Sequence, residues 1–179
     1  MKIIWAILLG GLAAGALDIL YAFVAYGPLS YGVTPEQVLQ SVAAGLIGRD
    51  ASRAGGVETA ALGLGLHMLI ATLMAAAYVL PATRFAVLTR QAVLCGLVYG
   101  FFLYVAMNYV VVPLSAAGAN GHFATASEIG PRLQAAFSEV RGGGGGDYPW
   151  LIWGTIFTHT VLVGLSISLL AKRFLHQQA

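Results

Sequence analysis

The chain has 179 residues, 59% of them hydrophobic and 9% charged, with nine basic and seven acidic residues and a formal net charge of +2. Its mean hydropathy is +0.82. A soluble domain carries roughly a quarter charged residues, so this composition excludes an ordinary soluble enzyme and points to lipid as the surroundings.

The apolar residues gather in four runs, 3–26, 59–80, 91–112 and 150–171. Each is near the ~20 residues that cross ~30 Å of hydrocarbon, so we expect four transmembrane helices in one all-α membrane domain, 1–179. Asp18 is the only formal charge inside them. The first run follows Lys2 and contains Ala14-Gly15-Ala16, as a cleavable secretory signal would. Its apolar character continues through Val24, however, so a retained span is expected. Beyond Pro28-Leu29-Ser30, the segment Thr34-Pro35-Glu36 supplies an N-cap, a proline at the first helical position and an early acid. Leu39, Val42, Ala43 and Leu46 then share one helical face, and Gly48 is placed to end the helix. After the second span, a short basic connection over 81–90 leads into the third. In the next long loop Thr125 and Glu128 have capping-box spacing, and Leu133, Ala136, Phe137 and Val140 repeat the amphipathic pattern. The glycines from Gly142 to Gly146 read as a flexible linker, with nothing after them that would make a phosphate-cradling loop. Both amphipathic helices are expected to lie in the membrane interface or cap the bundle, with a lid over a cavity as the sharper alternative.

The first and third runs are related. One gapless offset carries Gly11, Leu12, Gly15, Pro28, Leu29 and Ser30 onto Gly96, Leu97, Gly100, Pro113, Leu114 and Ser115. The chain therefore reads as two repeats, 1–85 and 86–179, each made of span, outer amphipathic helix and span. Two spans per repeat make the duplication parallel. Gly11xxxGly15 and Gly96xxxGly100 are small-residue faces of the kind that let helix backbones approach closely in lipid, and Gly164 with Ser168 offers another.

Lysine and arginine set the orientation. Lys2, Arg84, Arg90, Lys172 and Arg173 occupy the amino terminus, the 81–90 connection and the carboxyl tail, with no acid among them. Both termini are therefore expected in the cytoplasm, with the long loops outside. The net positive charge is topological and gives no reason to invoke nucleic acid. Trp5 and Tyr78 are then expected at the inner interface, and Tyr26, Tyr31, Tyr109, Tyr148, Trp150 and Trp153 in an outer aromatic belt. Cys95 is the sole cysteine, which excludes disulfides and CxxC redox chemistry.

Candidate functional residues are the polar ones inside the spans: Asp18, His67, Asn108 and His159, one from each run. At about 1.5 Å per residue all four fall in the outer half of the bilayer, and Thr158, Thr160, Tyr21 and Tyr104 add hydroxyls near that depth. Three readings stay open. One is a proton-responsive polar site for a small solute, protons or a lipid, with Asp18 and a histidine sharing protons. Another is structural, with Asp18 and Asn108 hydrogen-bonding across helices. The third is ligation of haem b or a metal by His67 and His159, for electron transfer. His122 and His176 read as surface residues. No GxSxG, HExxH, Walker or dinucleotide motif supports an enzyme; Ser30 and Ser115 follow span-ending prolines and read as helix ends.

The glycine-rich first and third spans, Pro28 and Pro113 closing them, an outer helix opening at Pro35-Glu36 and histidines in spans two and four resemble small four-span bacterial inner-membrane proteins of the YagU type. That resemblance implies a bacterial inner membrane and no established enzyme activity. With four spans, a homo-oligomer or a subunit of a larger membrane complex, a scaffold subunit included, is expected over a self-sufficient transporter.

Overall fold

A computed structural model describes residues 1–118, 121–142 and 146–175. Glycines 143–145 and His176 lie outside them. The chain is four-fifths helix, with no strand among the described residues. The helices are α1 (Lys2–Tyr26), α2 (Pro35–Ile47), α3 (Arg49–Ala54), α4 (Gly56–Ala82), α5 (Val87–Arg90), α6 (Ala92–Leu114), α7 (Ala126–Phe137) and α8 (Trp150–Leu175). Of these, α1, α4, α6 and α8 are long and apolar enough to cross a membrane.

Contacts divide the chain into two compact units. The first comprises 1–21, 67–104 and the chain from 156 onward; the second comprises 22–66 and 105–155. In the first unit the interior is made largely of small residues. Ala14 and Ala75 are 0% exposed, whereas Leu12 is 58%, Leu73 59% and Phe102 63% exposed. Many large apolar side chains thus point away from the packed interior, although Tyr78, Leu103, Tyr104 and Ile167 are buried in it. Glycine makes this packing close. A Cβ on Gly11 would strike the Thr72 Cα, and one on Gly15 would meet Met68 Sδ at 2.8 Å and Ala71 Cβ at 3.1 Å. Across α6 and α8, a Cβ on Gly96 would strike Ser168, and one on Gly100 the backbone of His159 and Thr160. Larger buried groups fill the other end of this unit, where Ala6, Tyr78, Val79, Ile167 and Ala171 form one cluster. Tyr78 is only 3% exposed and donates to the Leu88 carbonyl at 2.9 Å, so its ring is packed within the unit near the end of α4. The reason is local: α5 turns its carbonyls inward, and a phenol with an apolar ring and one donor satisfies both surroundings.

The second unit carries α2, α3 and α7. Thr34 caps α2, its Oγ1 accepting from Gln37 N while Gln37 Oε1 accepts from Thr34 N, a capping box that uses Gln37. Gly48, at φ 83°, ends α2 and admits the short α3, which the sequence pattern did not indicate. Thr125 and Glu128 close the capping box of α7. Several residues placed in the outer belt are packing groups here. Tyr31 meets Tyr148 edge-on at 4.8 Å, Tyr109 stacks on Phe137 at 5.1 Å, and Tyr26 donates to the Gly142 carbonyl. Trp153 stays 73% exposed.

Two stretches leave α-geometry. Residues Ala106–Val111 of α6 and Thr158–Leu165 of α8 are π-helical. The first precedes Pro113, whose ring has no N–H to give and crowds the carbonyl one turn back; a widened turn relieves that crowding, and α6 continues to Leu114 instead of stopping short of it. In the second, hydroxyls compete for the helix's own carbonyls, Thr160 Oγ1 donating to Ile156 O at 2.7 Å and Ser166 Oγ to Leu162 O at 2.5 Å.

Gly100→Ala should destabilise the protein by about 1–3 kcal/mol, because its methyl meets backbone that cannot yield. Gly65→Ala, on an exposed stretch of α4 with open space around the new Cβ, should not destabilise. Thermal unfolding of both variants in detergent checks this; equal melting temperatures would refute the close contact.

Candidate functional site

Asp18 and His67 face each other in the first unit. Asp18 lies one turn beyond Gly15 on α1, so its carboxylate and the Gly15 carbonyl share a face. His67, from α4, reaches that face where Gly15 offers no side chain. Its Nε2 lies 2.9 Å from the Gly15 oxygen and 3.8 Å from Asp18 Oδ2. A carbonyl can only accept, so Nε2 carries a proton and donates to Gly15. The carboxylate, at 3.8 Å, is beyond hydrogen-bond length and interacts with the same N–H through charge. The side chains are 14% exposed for His67 and 27% for Asp18, a partly open pair in the apolar stretches of two helices.

This arrangement has two inexpensive states in hydrocarbon: neutral imidazole beside a protonated carboxyl, and imidazolium beside carboxylate. Either avoids a lone charge, which costs several kcal/mol there. Both states hold the same number of protons and differ by one proton moved across the contact; net uptake or release passes through a state in which one of the two groups is charged alone.

His159 belongs to the same unit but has different company. Its ring meets Tyr104 edge-on at 6.0 Å, and its backbone is the surface against which Gly100 packs. It sits on the π-helical stretch of α8, next to Thr158, which is 1% exposed. Asn108 belongs to the second unit, on the π-helical stretch of α6. Of the four intramembrane candidates, then, Asp18 and His67 form a contact pair, while Asn108 and His159 each occupy a widened helical turn. Such turns recur at functional sites. Nothing in the residue pattern marks them except Pro113 downstream of one and the crowded hydroxyls of the other.

His122, read from sequence as a surface residue, is part of a polar cluster in the second unit. Its Nε2 lies 3.2 Å from Glu128 Oε2, and Arg132 donates to that same oxygen at 3.1 Å and to the His122 carbonyl at 3.1 Å. Arg132 also reaches the Pro113 carbonyl at 3.4 Å, tying the start of α7 to the end of α6. The i,i+4 spacing of Glu128 and Arg132 was the available signal. Among the described residues no group of three or more His, Cys, Asp or Glu side chains is arranged to hold a metal ion.

Compared with family models, curated proteins and solved structures, the chain matches none, so the reading of its function rests on its own residues.

His67→Gln retains a donor for the Gly15 carbonyl, whereas His67→Leu removes it. The leucine variant should lose about 1 kcal/mol more stability than the glutamine variant, measured as the difference in detergent unfolding. Indistinguishable variants would mean that this bond does not hold α4 to α1.

Proposed function

We propose that this chain is a multi-pass protein of a bacterial inner membrane whose Asp18–His67 pair handles protons, alone or coupled to a small solute. The observation that carries this reading is the pair itself, an acid and an imidazole 3.8 Å apart in the apolar stretches of two helices. Membrane insertion is supported by four helices of spanning length and by large apolar side chains pointing outward over a small-residue interior. Two parallel repeats, 1–85 and 86–179, are supported by the matched glycine pairs. Gly11 and Gly15 pack on the span that follows them, and Gly96 and Gly100 do the same in the second half. In each half the later glycine lies against the histidine of the next span, Gly15 with His67 and Gly100 with His159. Both termini are proposed to be cytoplasmic from the distribution of Lys and Arg, and the bacterial inner membrane is proposed from the likeness to YagU-type proteins. Four spans enclose little volume, which favours a homo-oligomer or a larger complex as the working unit.

Topology is tested with single cysteines in a Cys95→Ala background. Positions Ala51 and Gln134, both exposed, should react with an impermeant thiol reagent in intact cells, and exposed Thr83 should not. Labelling at Thr83 alone would invert the orientation.

Function is tested in proteoliposomes carrying an internal pH dye. The wild type should pass protons down an imposed gradient faster than empty vesicles, and Asp18→Asn should fall to the empty-vesicle rate with helicity retained. An Asp18→Asn variant with wild-type flux would leave the pair a structural contact. A Soret band from the purified protein would replace this reading with haem ligation by His67 and His159.

A further inference from the structure

The first unit has an unbalanced charge inventory. Its basic residues are Lys2, Arg84, Arg90, Lys172 and Arg173, and its one acid among the described residues is Asp18, which faces His67. All five cations lie at helix ends or in connections: Lys2 opens α1, Arg84 follows α4, Arg90 closes α5, and Lys172 and Arg173 occupy the last turn of α8. They lie at one end of the unit. Ala6, Ala82 and Ala171, each within a turn of one of these cations, belong to a single buried cluster, and Leu88 and Phe174 pack against it. The short α5 packs directly on the carboxyl-terminal stretch of α8, which brings the elements bearing Arg90, Lys172 and Arg173 together. All five side chains are exposed, and among the described residues none makes a hydrogen bond or ion pair.

Uncompensated cations that share one face repel each other and favour an anion. What surrounds them selects the kind. Trp5, Leu80, Phe85, Val87, Val93 and Leu94 are all between 49% and 62% exposed, at the same end. A soluble phosphate has no use for that apolar rim, whereas an anionic phospholipid places its phosphate on the cations and its acyl chains along the rim. We propose that this cationic end is a binding surface for anionic phospholipid headgroups, with Arg90, Lys172 and Arg173 at its centre. The inference rests on the membrane reading above and adds to it a requirement for lipid of one charge.

The full-length protein is reconstituted in vesicles of phosphatidylcholine with a minor share of phosphatidylglycerol, floated, extracted in mild detergent, and its retained lipids are measured by native mass spectrometry. The wild type should retain phosphatidylglycerol at least about fivefold above its share of the bilayer, the factor supplied by one cation near an anionic surface. R90Q/K172Q/R173Q, which leaves Lys2 and Arg84 in place, should lose most of this enrichment, while R49Q/R53Q in the second unit should keep it. If the triple variant does not fold, salt makes the same test on the wild type: about 0.5 M should remove most of the enrichment through screening. Enrichment unchanged by either, or absent from floated wild type, would overturn the proposal and leave the membrane reading standing. Wild type that fails to float would overturn both. Inorganic phosphate should not displace the bound lipid; displacement would make the site one for free phosphate and contradict the assignment.

Discussion

The structure depends on how closely two helix backbones can approach. Between apolar helices in lipid there is no hydrophobic gain from association, so packing contact and polar bonds must hold them. Gly11 and Gly15 let α1 lie against Thr72, Met68 and Ala71, and Gly96 and Gly100 let α6 lie against Ser168, Thr160 and His159. At Gly11, Gly96 and Gly100 even a methyl group would collide, and at Gly15 it would displace the Met68 side chain. At these contacts the interior is lined by small residues, and leucines and phenylalanines such as Leu12, Leu73 and Phe102 are turned outward.

The polar pair is a consequence of that closeness. A helical carbonyl is usually shielded by the side chains around it. At Gly15 the shield is missing, and His67 can place Nε2 2.9 Å from the oxygen. That bond fixes the imidazole, and the fixed imidazole then lies 3.8 Å from a carboxylate one turn along the neighbouring helix. Glycine in α1 therefore serves both the packing and the chemistry. In the second half the corresponding glycine, Gly100, meets the backbone of His159, and the ring turns to Tyr104. The two histidines have different neighbours, a carboxylate beside His67 and an aromatic ring beside His159.

Much of this was legible in the residues. Four spans followed from length and hydropathy, the outer helices from Thr34-Pro35 and from Thr125 with Glu128, and Asp18 stood out as the one charge in an apolar run. What escaped was local and three-dimensional. The π-helical turns around Asn108 and His159 arise from competition between side-chain hydroxyls, a proline and the helix ladder, and no periodicity records that balance. The burial of Tyr78 and its bond to the Leu88 carbonyl depend on where α5 folds, which no periodicity specifies. The Arg132–Glu128–His122 cluster needed the loop before α7 to fold back, which spacing alone does not specify.

The central proposal is that Asp18 and His67 act on protons as a pair. Nitrogen NMR of labelled His67 in lipid vesicles, followed across pH in wild type and Asp18→Asn, reads this directly. Coupled groups share their protons, so the account predicts that the His67 titration midpoint moves when the carboxylate is neutralised. A His67 titration identical in the two proteins would contradict it.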